Sequence, residues 1–386
     1  MTKCLGLLLT AAPLVLVGTQ AHADVKRGSG GIIVQQYDDD GNLLPPRPSS
    51  HDLNNHTASS HAPIGVMADH RHSKGEWMVS YRYVRMGMSG NRDGTTSLSP
   101  TQIATTVANP AFGNPGQPPT LRVVPVDMDM DMHMIGGMFG LSDRITLTAM
   151  MSYLETDMDH ITFRGGMGTE ILGEFTTRAS GIGDTTVGAL VSLSETRTHS
   201  FHAGLAVSLP TAKLEQTDEI LTPMGGRPIV RLPYAMQIGS GTYDLEPALT
   251  YSGHDDAISW GMQASAVVRL DTNAQGNKRG DRIAATAWVA TDLGRSVSVS
   301  ARVQGQSEGS IRRRDALIGG PVQTADPDNF GGEQVFVLAG LNYMVTGGAL
   351  KGHRLAAEYA LPIYRDLNGP QLETDSQFTI GWQKAF

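Results

Sequence analysis

The sequence predicts an all-β protein, a transmembrane antiparallel up-and-down β-barrel of about twelve strands, and three observations carry that expectation. Apolar and polar residues alternate with a period of two in segments of about ten to fourteen residues, as in strands with lipid on one face and a wet interior on the other. The connections between these segments are by turns long and short, as where periplasmic turns are short and external loops longer. No apolar run after the first twenty residues is long enough for a membrane helix, which needs about 20 residues.

Taken in order, the chain begins with Lys3, the apolar stretch LGLLLTAAPLVLVG and a small-x-small site at Ala21 to Ala23. This reads as a signal peptide over 1–23. The single cysteine, Cys4, falls inside it, so the mature chain is expected to have no disulfide and no thiolate chemistry. Residues 24–75 are rich in His, Pro and Gly with little apolar periodicity. They are expected to be loosely ordered, either as a plug in the lumen or as a periplasmic segment. Residues 76–386 supply the barrel.

Strand candidates fall at 76–88, 123–140, 145–158, 184–194, 199–210, 241–252, 257–270, 282–291, 296–307, 333–345, 353–364 and 375–386. The segment 257–270 shows the pattern most clearly. Ile258, Trp260, Met262, Ala264, Ala266, Val268 and Leu270 share one face, and Ser259, Gly261, Gln263, Ser265 and Arg269 the other. One such strand would also fit a soluble sandwich. The segregation of loop lengths, the even strand count and an aromatic C-terminus favour the membrane. Phe386 follows Phe378, Ile380 and Trp382 at two-residue spacing, although Lys384 interrupts that face. Such an ending resembles the signal read by the outer-membrane assembly machinery, an expected partner along with outer-membrane lipid.

Several stretches are similar to a known group. SGIGDTTVGALVSL (180–193) and AVSLPTAK (206–213) resemble the Gly-rich strand and L-P-T corner of outer-membrane barrels named after the meta-cleavage pathway of phenol degradation, the MetA-like family. Residues 61–83, 232–251, 324–333 and 348–375 resemble a group of transporters within it. The resemblance implies an outer-membrane barrel and passage of a solute whose identity it does not give.

The stretch VDMDMDMHM (126–134) alternates Met with Asp and His, and its function depends on which face looks inward. A tight turn at LSDR pairing Leu141 with Arg144 makes opposed residues sum to 285. Since a carboxylate facing hydrocarbon is costly, this register assigns Asp127, Asp129, Asp131 and His133 to the lumen with His160 at the same height, and the methionines to lipid. Carboxylates and imidazole lining a mouth can attract cations, and Arg302 is a further candidate for the polar path. A second cluster, His51, His56, His61, His70 and His72, lies within 22 residues together with Met67 and Asp69. His61, Met67, His70 and His72 are candidate ligands for copper or zinc, with hydrated linker histidines as the plainer reading.

Catalytic readings find little support. GSGG, GGMG and GNKRGD lack the strand and helix of a phosphate loop. A formal charge of −8 excludes a generally basic nucleic-acid binder. The expectation is therefore an outer-membrane channel passing a small molecule or ion passively, not an enzyme, with no required cofactor. Metal handling through a bound Cu or Zn, and a non-conducting structural barrel whose loops bind partners, are the alternatives. The sequence leaves the oligomeric state open.

Overall fold

The computed structural model describes residues 58–255 and 257–386. The expected signal peptide with Cys4, most of the 24–75 segment, and His51 and His56 lie outside them. The wall comprises β1 (Trp77–Gly94), β2 (Val123–Ser142), β3 (Ile145–Phe163), β4 (Ile171–Ile182), β5 (Thr185–Glu195), β6 (His199–Leu209), β7 (Asp244–His254), β8 (Ile258–Arg269), β9 (Arg282–Asp292), β10 (Val297–Glu308), β11 (Gly332–Met344) and β12 (His353–Ala385). Each pairs antiparallel with its neighbours, and β12 closes the ring on β1. Closure of the ring pairs the strand edges within the membrane belt, so backbone polar groups can be satisfied in lipid.

These twelve elements make twelve passages. β12 passes twice, pairing with β11 from Arg354 to Leu367 and with β1 mainly from Gln371 to Ala385. Gly369, at φ 76°, lies between the two halves. β4 and β5 share one passage. β4 pairs with the outer half of β3 (Tyr153↔Ile182 to Phe163↔Ile171), and β5 with its turn-end half (Ile145↔Val191 to Met150↔Thr186). The sequence reading placed 171–182 in a loop, because this half-strand has only one wall partner.

The outer surface carries the apolar residues that a lipid belt requires. Ile135, Leu147, Leu205, Met262, Leu361 and Ile363, spread around the wall, are each more than two-fifths exposed. Trp77 stacks on Phe386 at 4.3 Å at the turn end of this belt. Among the described residues no helix is long and apolar enough to cross a membrane.

Strands β1 to β3, of 18, 20 and 19 residues, are much longer than the 11 or 12 residues of β5 to β10. A tilted strand needs only about 9–11 residues to cross the hydrocarbon. On β3 the outward face reads Leu147, Ala149, Met151, Tyr153, then Glu155, Asp157 and Asp159. The change falls at the paired row Tyr83, His133, Tyr153 and Ile182. Beyond that aromatic row the strands project past the belt.

The register of β2 and β3 corrects the sequence reading. Opposed residues sum to 286 from Asp127↔Asp159 to Gly140↔Thr146, and Ser142 then faces Ile145. Leu141 is the extra residue of a bulge beside the turn. A one-residue slip moves every side chain to the other face. Asp127, Asp129, Asp131 and His133 therefore lie on the outer face, and Met128, Met130, Met132, Met134 and Met138 on the inner one. The inner face is fixed independently by Arg82, which pairs with Met134 and Gly381 and lies with Gly381 against Ile64 of the segment inside the barrel. An outward carboxylate is costly only where the strand is immersed in hydrocarbon, and this strand extends beyond it. The carboxylates stand above the aromatic row, where water and Arg85 reach them.

Candidate functional site: the lumen and its inserted segment

Residues 58–76 precede β1 and run inside the barrel at the end where the turns are short. The chain makes a 3-10 turn at Ala58–Ser60, rises to a tip at 63–67 and returns to the wall. Val66 N–H donates to the Pro63 carbonyl at 2.9 Å, which makes the tip compact. The tip is apolar, and that apolarity seats it. Ala62 and Val66 pack against Trp288, and Ile64 covers Gly381, where any Cβ would stand 2.7 Å from the Ile64 side chain. Gly75, at φ 85°, turns the chain into β1, its N–H donating to the Gly140 carbonyl at 2.8 Å.

Polar wall groups hold the segment along its length. Ser59 N–H donates to Asp292 at 2.8 Å, Arg354 to the Ala62 carbonyl at 2.6 Å, and Gly65 N–H to Glu358 at 3.1 Å. Gln263 donates to the Met67 carbonyl at 2.9 Å, and His202, through Nε2, to the Ala68 carbonyl at 3.0 Å. Near the exit Arg71 pairs with Glu195 and donates to the Asp143 carbonyl at 2.9 Å, and His72 N–H donates to Thr146 at 2.9 Å. Buried polar groups need such partners. Part of the inward-facing wall polarity is thus spent on the inserted backbone.

Arg302, expected on the polar path, does point inward, where it forms a bidentate pair with Glu358. Nε to Oε1 is 2.8 Å and Nη2 to Oε2 is 2.7 Å, with both side chains at most 3% exposed. Arg302 also reaches Gln304 at 2.6 Å. Removing one partner of a buried pair costs about 3–5 kcal/mol, so this pair is a rigid abutment for the tip rather than a free cation.

Space remains on both sides of the segment. Toward the loops a cavity of about 290 Å³ is bounded by Gly65 to Ala68, Glu246, Gln263, Arg282, Arg302 and Gln306. Toward the turns a vestibule of about 700 Å³ is bounded by His61, His70, His72, Glu76, Arg354 and Gln383 among others. The segment itself separates the two.

Over the outer end the long connections build a cap. α1 (Pro100–Thr106) starts on a capping box between Ser99 and Gln102, and Ile103 packs with Leu121, Val124 and Phe163. Fully buried Arg122 donates to the carbonyls of Ala104, Arg164, Gly165, Met167 and Gly168. Leu232, Met236 and Ile238 of the 211–240 connection pack on Met128 and Met158. Tyr234 joins Ile311, Ile318 and Ala325, and burial raises its phenol above the usual value.

The remaining predicted residues are divided between inside and outside. His160 points inward, 2% exposed and stacked on Phe175 at 4.6 Å, under the cap. On the outer face Arg85 bridges Asp129 at 2.7 Å and Asp131 at 3.1 Å, Tyr83 donates to Asp131, and His133 contacts the Tyr81 hydroxyl at 2.8 Å. These groups cannot select solutes in the lumen.

Of the predicted metal ligands, His61 and His70 come together with Asp69, one ligand atom of each lying within 4.8 Å of the others. Asp69 contacts His70 Nδ1 at 2.8 Å and accepts the Ala62 N–H at 3.2 Å. The rings of His61 and His70, and of His70 and His72, have centroids 5.0 Å apart. Met67 is not part of this group; its carbonyl is held by Gln263 at the tip. Sequence spacing flagged the histidines but gave no role to Asp69, which the loop carries back beside His61.

No family model matches the chain and no curated protein matches it. Among solved structures it is similar to an outer-membrane channel from Pseudomonas putida F1, with a TM-score of 0.52 and 13% identity over 84% of this chain and 100% of that one. A monoaromatic hydrocarbon channel aligns with a TM-score of 0.42 and 11% identity over 82% of this chain and 91% of that one. A FadL homologue of Pseudomonas aeruginosa gives 0.39 and 9% over 80% and 89%. The first of these likenesses agrees with the up-and-down β-barrel fold.

Proposed function

We propose that this protein is an outer-membrane channel passing a small solute passively through its lumen, with residues 58–76 as a plug that must shift for passage. The observation that carries the reading is the cavity of about 290 Å³ inside a closed wall, with the inserted segment as its floor and a vestibule beyond. A belt of exposed apolar side chains supports a wall seated in lipid, and the MetA-like resemblance supports an outer-membrane transporter reached after export. This reading assigns no catalysis and gives Phe386 a role in assembly. The polar groups around the cavity, Glu246, Gln263, Arg282 and Gln306, suit a small polar or charged solute. Planar-bilayer recording tests it. The whole protein should conduct rarely, and a Δ24–74 deletion should give frequent, larger single-channel steps. Silence from both, with folding verified by heat-modifiable gel migration, would refute it.

A further inference from the structure

We propose that His61, Asp69 and His70 form a binding site for a divalent transition metal of the Cu(II) or Zn(II) class, and that the ion clamps the neck of the inserted segment. Binding stands on the geometry of these three residues alone, whereas the clamp rests on the plug reading above.

Three features point to a metal. Two imidazoles and a carboxylate converge from one short stretch, with ligand atoms within 4.8 Å. Metal–nitrogen bonds of about 2.0–2.1 Å in a tetrahedral site hold ligand atoms about 3.3 Å apart, so closing the site asks roughly an ångström or so of each ring. Rotation of the imidazoles about χ1 and χ2 supplies that without moving the wall. Asp69 is also oriented already, one oxygen at Ala62 N–H and the other at His70 Nδ1. A carboxylate so placed can serve as a ligand or fix the histidine tautomer, as supporting carboxylates commonly do at metal sites. Finally, the vestibule wall includes both His61 and His70, which gives an ion a path from the turn end. His72, its ring 5.0 Å from that of His70, is placed to support the site or to complete it.

Imidazole and carboxylate suit Cu(II) and Zn(II), and the general affinity order puts Cu(II) first. All three ligands belong to the inserted segment, with His61 at the start of the tip loop and Asp69 and His70 at its end. An ion joining them closes that loop covalently in effect, and its binding energy becomes ordering energy for the plug. Among the described residues the wall adds no ligand to this cluster, so the ion should tighten the plug without altering the barrel.

The test uses the full folded barrel in detergent, stripped with EDTA and titrated with CuCl₂ or ZnCl₂ by calorimetry. One saturable site is expected for Cu(II), weakened at least about tenfold by His61→Ala with His70→Ala, in the range by which ligand-shell changes alter metal affinity. His133→Ala, on the outer face, should leave it unchanged. Electron paramagnetic resonance of the Cu(II)-loaded wild type should show nitrogen hyperfine splitting from two imidazoles, a readout that needs no variant. Absence of saturable binding, or binding and spectrum indifferent to His61 and His70, overturns the site. Bilayer recordings then separate the two proposals. Cu(II) should lower wild-type opening and not that of the double variant. Binding without an effect on opening would remove the clamp and leave the site, and a silent barrel that binds metal would remove the channel alone.

Discussion

If residues 58–76 plug the lumen, Gly65 is where the plug can be loosened with least damage to the wall. It lies against the Arg302–Glu358 pair, and a Cβ added there would fall well inside contact distance of both Glu358 Oε2 and Arg302 Nη2. Neither can retreat cheaply, because the two hold each other at 2.7 and 2.8 Å in a buried setting. Gly65→Ala therefore overpacks the seat, for which about 1–3 kcal/mol is typical. The strain is relieved when the tip withdraws, so it favours the unplugged state by that amount. At about 1.4 kcal/mol per decade, the open fraction should rise roughly 5- to 140-fold. The change is measurable as opening frequency in planar bilayers. Trypsin cleavage after Arg71, a residue buried in the plugged structure, should accelerate in parallel. A Gly65→Ala barrel that folds normally and opens and is cleaved at the wild-type rate would refute the argument that this seat holds the plug.

The other expectations concern the cap and the register. Arg122→Met leaves five carbonyls without their guanidinium donor; at about 1–3 kcal/mol for each buried polar group left unsatisfied, the outer loops should loosen. Limited proteolysis of 100–122 and 164–170 should speed up at least tenfold with the barrel still heat-modifiable, and unchanged loop protection would show that the cap does not depend on Arg122. The one-residue register is tested by single cysteines. Asp131→Cys should react freely with a membrane-impermeant maleimide and give a water-exposed spin label, whereas Met132→Cys, on the inner face, should be slow until the plug is deleted. The reverse order would restore the sum of 285 and return the carboxylates to the lumen.

How much was legible depended on how many neighbours each residue answers to. β8 was read with its faces correct, because Ile258, Met262 and Val268 meet lipid while Ser259 and Gln263 meet the lumen, and alternation along one strand is enough to separate them. Faces on β2 needed the turn as well, and a single bulge at Leu141 reversed them. Such a bulge leaves no mark in composition, since Leu141 is apolar and exposed like its outward neighbours Phe139 and Ile135. β4 was missed because pairing with one neighbour over half a passage makes a weak pattern. The inserted segment looked like linker for a related reason. Its backbone is satisfied by the side chains of a distant wall, Gln263, His202, Arg354 and Glu358, and no local periodicity reports that. Spacing alone did identify His61 and His70 as a cluster, while the approach of Asp69 to them required the loop to close.

The methionine-rich strand shows why membrane position must be settled before polarity is interpreted. A strand of 20 residues exceeds the hydrocarbon by about ten, so a charged outer face costs little if it occupies the excess length. The row at Tyr83, His133 and Tyr153 marks that boundary, and each acidic residue of β2 lies beyond it. Exposed ion pairs there, such as Arg85 with Asp129, contribute only about 0–1 kcal/mol each, so water rather than Arg85 is what makes the outward charges tolerable. Met128, meanwhile, meets Met158, Leu232 and Met236 beneath the cap. Thioether side chains are flexible enough to fill the irregular gap between a curved wall and folded loops. The alternation that suggested a cation-attracting lumen is thus accounted for by two needs, packing inside and solubility outside, and the cluster proposed to bind a metal is instead His61, Asp69 and His70 on the inserted segment.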